Sequence, residues 1–326
     1  MRILELFCGI GGLAAATSGT DARVACAMDH DPAVLATYRC NHPGHQAVRV
    51  DLSRVSNWEL ATHGADLWWL SPPCQPYTVR GNQLDLDDHR AASLRRILEI
   101  LERLPAGKLP ASLALENVPG FLDSQARQRL VAVLAERGYD LREQLLCPTS
   151  LGVPMRRERY YLAASLTPLR PLPDLAEPPP AKPLADYLDR SLCDHAPAEL
   201  LVPGEALARF GPGLMVLDPD DPAACASCFA ASYGKTLMHS GAYLRCRQGV
   251  RHFAPGEIAR LLGLPSGFSF PPGLALRRQW HQLGNSLSVD AVRAVLAILP
   301  APHRLTGANE GGFRLPEPRR SLPCRG

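Results

Sequence analysis

Within the first 165 residues, short apolar runs alternate with stretches of helical periodicity, and most of the apolar runs end in glycine, proline or an acid. RILEL (2–6) empties into CGIGG, RVACAMD (23–29) and AVRVD (47–51) end in Asp29 and Asp51, DLWWL (66–70) runs into SPPC, and SLALEN (112–117) carries Glu116. Such runs, set between helical patterns, read as strands of a mostly parallel sheet covered by helices. The alternation predicts an open α/β fold, whose ligands bind outside the carboxyl ends of the strands.

The helical signal between the runs is equally regular. DPAVLATYRCN, after the second strand, opens with the Asp-Pro pair of a helix N-terminus. DHRAASLRRILEILERL (88–104) sets Leu94, Ile97, Leu98, Leu101 and Leu104 on one face. SQARQRLVAVLAERGY is a helix stopped by Gly138, and RYYLAAS (159–165) is a further strand. From Thr167 to Pro183 the chain is too dense in proline for helix or central strand, which marks a boundary. A less regular stretch follows to about Arg245, and helical patterns return in APGEIARLLGLP (254–265) and NSLSVDAVRAVLAIL (285–299). The expected organisation is a first domain over 1–165, a small one over 166–245, a return to the first over 246–300, and a flexible basic tail over 301–326.

Composition narrows the class. The 326 residues are 46% hydrophobic, which suits one large domain and a smaller one. MRILELFCGIGG lacks the apolar stretch and cleavage site of a secretion signal, and no run approaches the roughly 18 apolar residues of a membrane span, so a cytoplasmic protein with no membrane association is expected. Ten cysteines are scattered without the dense framework of a secreted mini-protein and read as reduced thiols. Cys225 and Cys228 form the only close pair, and without a second pair at finger spacing no metal is expected. The net charge of +3 resides in the tail, where Arg304, Arg314, Arg319, Arg320 and Arg325 stand against Glu310 and Glu317. Any polyanion-binding surface must therefore be a local cluster.

Taken singly, the residues at the strand ends are ambiguous. LFCGIGG lets a ligand approach the backbone, but it matches neither the dinucleotide fingerprint nor a phosphate loop. Asp29 and Asp51 suit the hydroxyls of a ribose and equally suit a cap or turn. Cys74 stands among Pro72, Pro73 and Pro76, a rigidity that a structural thiol does not need, although a lone cysteine is more often packing than nucleophile. Glu116 emerges from the same sheet edge. Arg157 and Arg159, in PMRRERYYL, serve equally well as its ion-pair partners or as a grip on a substrate.

In combination and in this order, the blocks resemble the cytosine-5 methyltransferase family. LFCGIGG is similar to its cofactor motif, PPCQ to its catalytic loop, ENV to its glutamate motif, RRER to its Arg-x-Arg motif, and GNSLSV (284–289) to a late motif that returns to the cofactor pocket. Within the family, SPPCQPYTVRGNQLDLDDHR, CPTSLGVP, CFA before SYGK, and FAPGEIARLLGLP resemble the branch that methylates transfer RNA. That branch usually has Cys-Phe-Thr where Cys228, Phe229 and Ala230 stand, and the family's glutamine before Arg-x-Arg is Met155 here.

The resemblance implies a Rossmann-like domain dependent on S-adenosylmethionine, with a small, irregular target-recognition domain. It implies Cys74 as nucleophile toward cytosine carbon 6, Glu116 at the ring nitrogen and amine, Arg159 at O2, and Arg157 supporting the loop or the thiolate. The cofactor is expected against Phe7, Gly9, Ile10, Gly11, Gly12, His30, Leu52 and Pro72, with Asp29 at the ribose hydroxyls, Asp51 near the adenine amine, and Asn285 and Ser286 at the methionine end. Gln75, Asn117, Cys228 and Phe229 are expected on the substrate side. The implied partner is tRNA, in its anticodon loop and of the aspartate species, bound by a monomer. A restriction-type DNA methyltransferase is the alternative, and a catalytically silent nucleic-acid-binding protein a more distant one.

Overall fold

The computed structural model describes residues 1–77, 84–171 and 179–301. The TVRGNQ segment after Tyr77, part of the proline-dense boundary, and the basic tail beyond Ala301 lie outside the described residues.

The chain proceeds through β1 (Arg2–Leu6), α1 (Gly12–Thr17), β2 (Arg23–Asp29), α2 (Pro32–Asn41), β3 (Ala47–Arg49), β4 (Leu67–Leu70), α3 (Ala92–Arg103), β5 (Ser112–Asn117), α4 (Gln125–Glu136), β6 (Asp140–Leu146), the two-residue β7 (Met155–Arg156) and β8 (Arg159–Ser165). Seven of these strands form one sheet in the order β3-β2-β1-β4-β5-β8-β6. Strands β1 to β5 pair in parallel, and β8 runs antiparallel to both β5 and β6. This is a Rossmann-like sheet closed by an antiparallel hairpin.

Alternation along the central strands sends side chains to two cores. Leu4, Leu6, Trp68, Leu70, Leu113 and Leu115 pack beneath α3 and α4. Ile3, Trp69, Ala114, Tyr161 and Ala163 meet α1 and the C-terminal helix on the other face, in a core that continues into residues 184–264. Both faces are covered, as parallel sheets require.

The structure departs from the sequence expectations at four elements. DLREQLL forms β6, an edge strand whose polar residues disguise it. Helix α3 begins at Ala92 rather than at Asp88, because the buried Asp88 carboxylate accepts from the Arg90 N–H at 2.9 Å and from its guanidinium at 2.9 and 2.6 Å, stabilising a tight turn instead.

Beyond α5 (Ser191–Asp194), α6 (Gly204–Phe210), β9 (Val216–Leu217), β10 (Ala226–Ser227), β11 (Tyr243–Cys246), β12 (Gly249–His252) and α7 (Pro255–Leu261) comes the third departure, α8 (Leu276–Gly284). Its apolar signal is confined to Leu276, Trp280 and Leu283 among polar residues. The fourth is the last helix, α9 (Val289–Ile298), which starts four residues later than the pattern suggested and leaves Asn285 and Ser286 in a non-helical link.

Strands β9, β11 and β12 make a small sheet whose β11–β12 hairpin spans residue 245, and β10 pairs in parallel with β7. The small sheet is fastened to α7 by a fully buried ion pair, Arg251 to Glu257, at 2.7 and 2.8 Å. Among the described residues, no helix is long and apolar enough to cross a membrane.

Candidate active site

The strand order reverses between β1 and β4, the position where open α/β sheets bind ligands. The loops after these two strands meet there with the end of β5, the start of β8 and the α8–α9 link. Two adjoining cavities of about 400 Å³ each result, sharing Phe7, His30, Pro73 and Arg90. The first is lined by Gly9, Ile10, Gly12, Asp29, Pro72, Cys74, Gln75, Glu116, Arg157, Arg159, Asn285 and Ser286. The second contains Asp51 and Leu52.

The glycine loop is shaped by close approaches. Phe7 has φ of 58°, a left-handed conformation that is strained for a side-chain-bearing residue and typical of functional turns. Gly11 caps α1 at φ 91°, and a Cβ there would meet the His42 ring at 2.5 Å. Asp29 accepts from the Gly9 N–H and the Asp31 N–H, each at 3.0 Å. Burial alone would raise its carboxyl, but hydrogen bonds from His30, Asp31 and Gly9 hold it below the ordinary carboxylate range. An ionised carboxylate has about four lone-pair sites, so beyond these three contacts one remains for a ligand hydroxyl.

Opposite this loop lie Cys74, Glu116 and Arg159. Asn117 donates to the Pro72 carbonyl at 3.2 Å, Tyr77 stacks edge-on against Phe121 at 4.8 Å, and Gly120 leaves no room for a Cβ beneath the Tyr77 carbonyl. The cysteine loop is thus fastened to the strand that carries Glu116. Antiparallel pairing sets Tyr161 opposite Glu116, so Arg159, two residues earlier, shares the Glu116 face. Its Nε lies 3.4 Å from Glu116 Oε1.

Burial pushes the Glu116 carboxyl up, with Arg159 and Arg157 opposing. Burial and then the Glu116 charge push the Cys74 thiol up, again opposed by the two arginines. The two acids therefore resist simultaneous ionisation, so a Cys74 thiolate is favoured while Glu116 holds its proton.

Arg157 behaves differently from Arg159. It is buried and donates to Cys228 Sγ at 3.3 Å, Phe229 O at 3.2 Å, Gly284 O at 3.0 Å and Ser286 O at 2.5 Å. Cys228 also accepts from Arg159 at 3.5 Å. Burial opposes ionisation of Cys228, but the charges and hydrogen bonds of both arginines bring its thiol below the ordinary value.

Gly11, Asn117, Cys228 and Phe229 do not line either cavity. Phe229 is core, packed between Tyr233 and Phe253 with ring centroids at 5.1 and 5.0 Å, and Asn117 and Cys228 brace the groups that do line it. Among the described residues, no group of three or more His, Cys, Asp or Glu side chains could hold a metal ion.

Sequence reasoning missed Glu5, which lies buried under the glycine loop. Its carboxyl is pushed up to about 8 by burial, against hydrogen bonds from Tyr38 and the Ala14 and Leu13 amides at the start of α1. Its signal was visible as an acid among the apolar residues that follow Arg2 in RILEL. Arg90 and His281, which also line the first cavity, carried no such signal.

The model for the C-5 cytosine-specific DNA methylase family matches residues 1–193. The chain belongs to this family. It is similar to the fission yeast Schizosaccharomyces pombe tRNA (cytosine(38)-C(5))-methyltransferase, with 28% identity over 93% of this chain and 97% of that one. Similarity to the Homo sapiens protein of the same description is 29%, over 92% and 99%. The crystal structure of S. pombe Dnmt2 methyltransferase superposes with a TM-score of 0.80 at 26% identity, covering 92% of this chain and 98% of that one.

Proposed function

We propose that this protein is an S-adenosylmethionine-dependent tRNA methyltransferase that modifies carbon 5 of a cytosine through a covalent Cys74 adduct. The observation that carries the reading is the meeting of Cys74, Glu116 and Arg159 in one cavity beside a glycine loop and two strand-end acids. The adjoining cavities fit a cofactor with a nucleoside at one end and an amino acid at the other. Asp51 and Leu52 would flank the adenine, Asp29 the ribose, and Asn285 and Ser286 the methionine end. Bound there, S-adenosylmethionine supplies an electrophilic methyl group on sulfonium.

The chain's own residues do the rest. The Cys74 thiolate bonds to carbon 6 of the cytosine, and the ring electrons displaced from the 5,6 double bond make carbon 5 nucleophilic. Glu116, whose carboxyl burial pushes up, donates a proton to ring N3 and accepts from the exocyclic amine, stabilising the charge that the addition delivers to the ring. Arg159 binds O2. Arg157 and Cys228 hold Arg159 and the surrounding loops in place. With the methyl group taken up at carbon 5 and S-adenosylhomocysteine as the leaving group, loss of the carbon 5 proton to solvent would expel the Cys74 thiolate and restore the 5,6 double bond.

The target base must leave its stack, at a cost of about a few kcal/mol that is smallest in a single-stranded loop. An anticodon loop meets that condition, and position 38 is the one in the names of the two relatives. The aspartate tRNA is the species we take as substrate. On this reading, residues 1–165 and 246–300 carry cofactor and chemistry, residues 166–245 recognise the polymer, and the protein acts as a cytoplasmic monomer. DNA is the alternative substrate, favoured by the family model's description. Methylation of total tRNA and of unmethylated DNA separates the two: incorporation into tRNA, mapped by bisulfite sequencing and lost in Cys74→Ala, is expected. Robust activity on DNA with none on tRNA would overturn the proposal.

A further inference from the structure

His281, on the last turn of α8, lines the first cavity without belonging to any motif that the function absorbs. Its Nδ1 lies 3.0 Å from the Ala231 carbonyl oxygen, and its Nε2 lies 3.3 Å from Asn285 Nδ2. A carbonyl only accepts, so Nδ1 carries the proton, and in the neutral ring Nε2 is then an acceptor for the Asn285 amide N–H. This turns the Asn285 amide oxygen away from the imidazole.

The same two segments touch again one turn on. A Cβ at Gly284 would lie 2.5 Å from both the Ala230 carbonyl carbon and the Ala231 nitrogen. Arg157 bridges them a third time, through Phe229 O on one side and Gly284 O and Ser286 O on the other. Residues 228–231 and 281–286 therefore form one packed unit, and His281 is its cavity-facing tie.

We propose that His281 is a positioning residue that sets the Asn285 amide for the amino-acid end of the cofactor and couples it to the small-sheet region through Ala231. The proposal rests on the reading of Asn285 as a cofactor residue. With one amide N–H held by His281, the Asn285 amide is oriented so that its oxygen is offered to a ligand ammonium group. His281 acts on the cofactor only through Asn285.

Equilibrium binding of S-adenosylmethionine and S-adenosylhomocysteine to the full chain tests this, using Asn285→Ala, His281→Ala, His281→Gln and the double alanine variant. Loss of one hydrogen bond of about 1 kcal/mol corresponds to about fivefold weaker binding for His281→Ala. The double variant should bind no more weakly than Asn285→Ala, because coupled residues are non-additive. Glutamine, whose amide donates and accepts as the neutral imidazole does, should restore affinity to within about twofold. In turnover, His281→Ala should raise KM for S-adenosylmethionine and leave kcat at saturation near that of the parent. Full affinity in His281→Ala beside a weakened Asn285→Ala, or additive losses in the double variant, would overturn the proposal. Full affinity in Asn285→Ala would instead remove the reading on which it rests.

Discussion

Replacing Arg157 by alanine removes a buried side chain bonded at once to the loop after β10 and to the link between α8 and α9. Arg157 is 3% exposed, and its guanidinium makes four hydrogen bonds, to Cys228, Phe229, Gly284 and Ser286. Hydrogen bonds to a charged group contribute about 1.5–3 kcal/mol each, but bonds sharing one donor group do not add. Three carbonyls and a thiol left without this donor cost about 1–3 kcal/mol each and do not add, so a loss of about 3–5 kcal/mol is expected. An unfolding entropy of about 2.1 cal/mol/K per residue over the 326 residues converts that to a fall in Tm of about 4–7 °C.

Arg157→Lys retains the charge but not the planar fork that reaches several acceptors, so about half the loss is expected. Both variants should weaken binding of S-adenosylmethionine, because Gly284 and Ser286 flank Asn285. Only the alanine variant should raise the Cys74 thiol further, since the Arg157 charge opposes its upward shift. Thermal melts, cofactor titration and the pH profile of Cys74 alkylation by iodoacetamide measure the three effects separately. An Arg157→Ala protein that melts within about 2 °C of the parent and binds cofactor normally would refute the reasoning.

Glu116→Gln should lower kcat by about 10²-fold or more, because the amide cannot retain the transferable proton. The same change should speed Cys74 alkylation at fixed pH, since it removes a charge that raises the thiol; slower alkylation would contradict the coupling. In the parent protein only the thiolate reacts, and a raised thiol is less ionised at a given pH. Its alkylation should therefore keep accelerating above about pH 8.5, whereas a plateau below pH 8 would show the shift to have the opposite sign. Glu257→Ala removes acceptors for Arg251, the Asp189 N–H at 3.0 Å and the Ala254 N–H at 2.7 Å, leaving a fully buried guanidinium without its counter-ion and held by the His252 carbonyl and Cys193. A Tm loss of about 4–7 °C is expected from the same scale, and one below about 2 °C would show that Arg251 finds another partner.

What was legible in the sequence follows from how parallel sheets are built. Strands β1, β2, β4 and β5 are covered on both faces, so they read as apolar runs, and their carboxyl ends point to one edge. Cys74, Glu116, Asp29 and the glycine loop could therefore be placed together before any coordinates. Strand β6 escaped because an edge strand carries polar residues along its length, and α8 escaped because only Leu276, Trp280 and Leu283 meet the core while Arg277, Arg278 and His281 are exposed. The Arg-x-Arg motif shows where the sequence reading ends. Spacing of two suggests that Arg157 and Arg159 act alike, yet only Arg159 lies on β8, where pairing with β5 delivers it to Glu116. Arg157 precedes the strand and turns toward acceptors at 228–229 and 284–286. Those acceptors are mostly backbone carbonyls, which every residue type supplies equally, so no residue pattern could announce them. The same holds for Cys228. Its thiol is defined by the two arginines that face it, and their approach depends on the β7–β10 pairing, a contact between segments some seventy residues apart. A catalytic group that meets substrate leaves its mark in residue type, whereas a group that holds it through the main chain is visible only once the chain has folded.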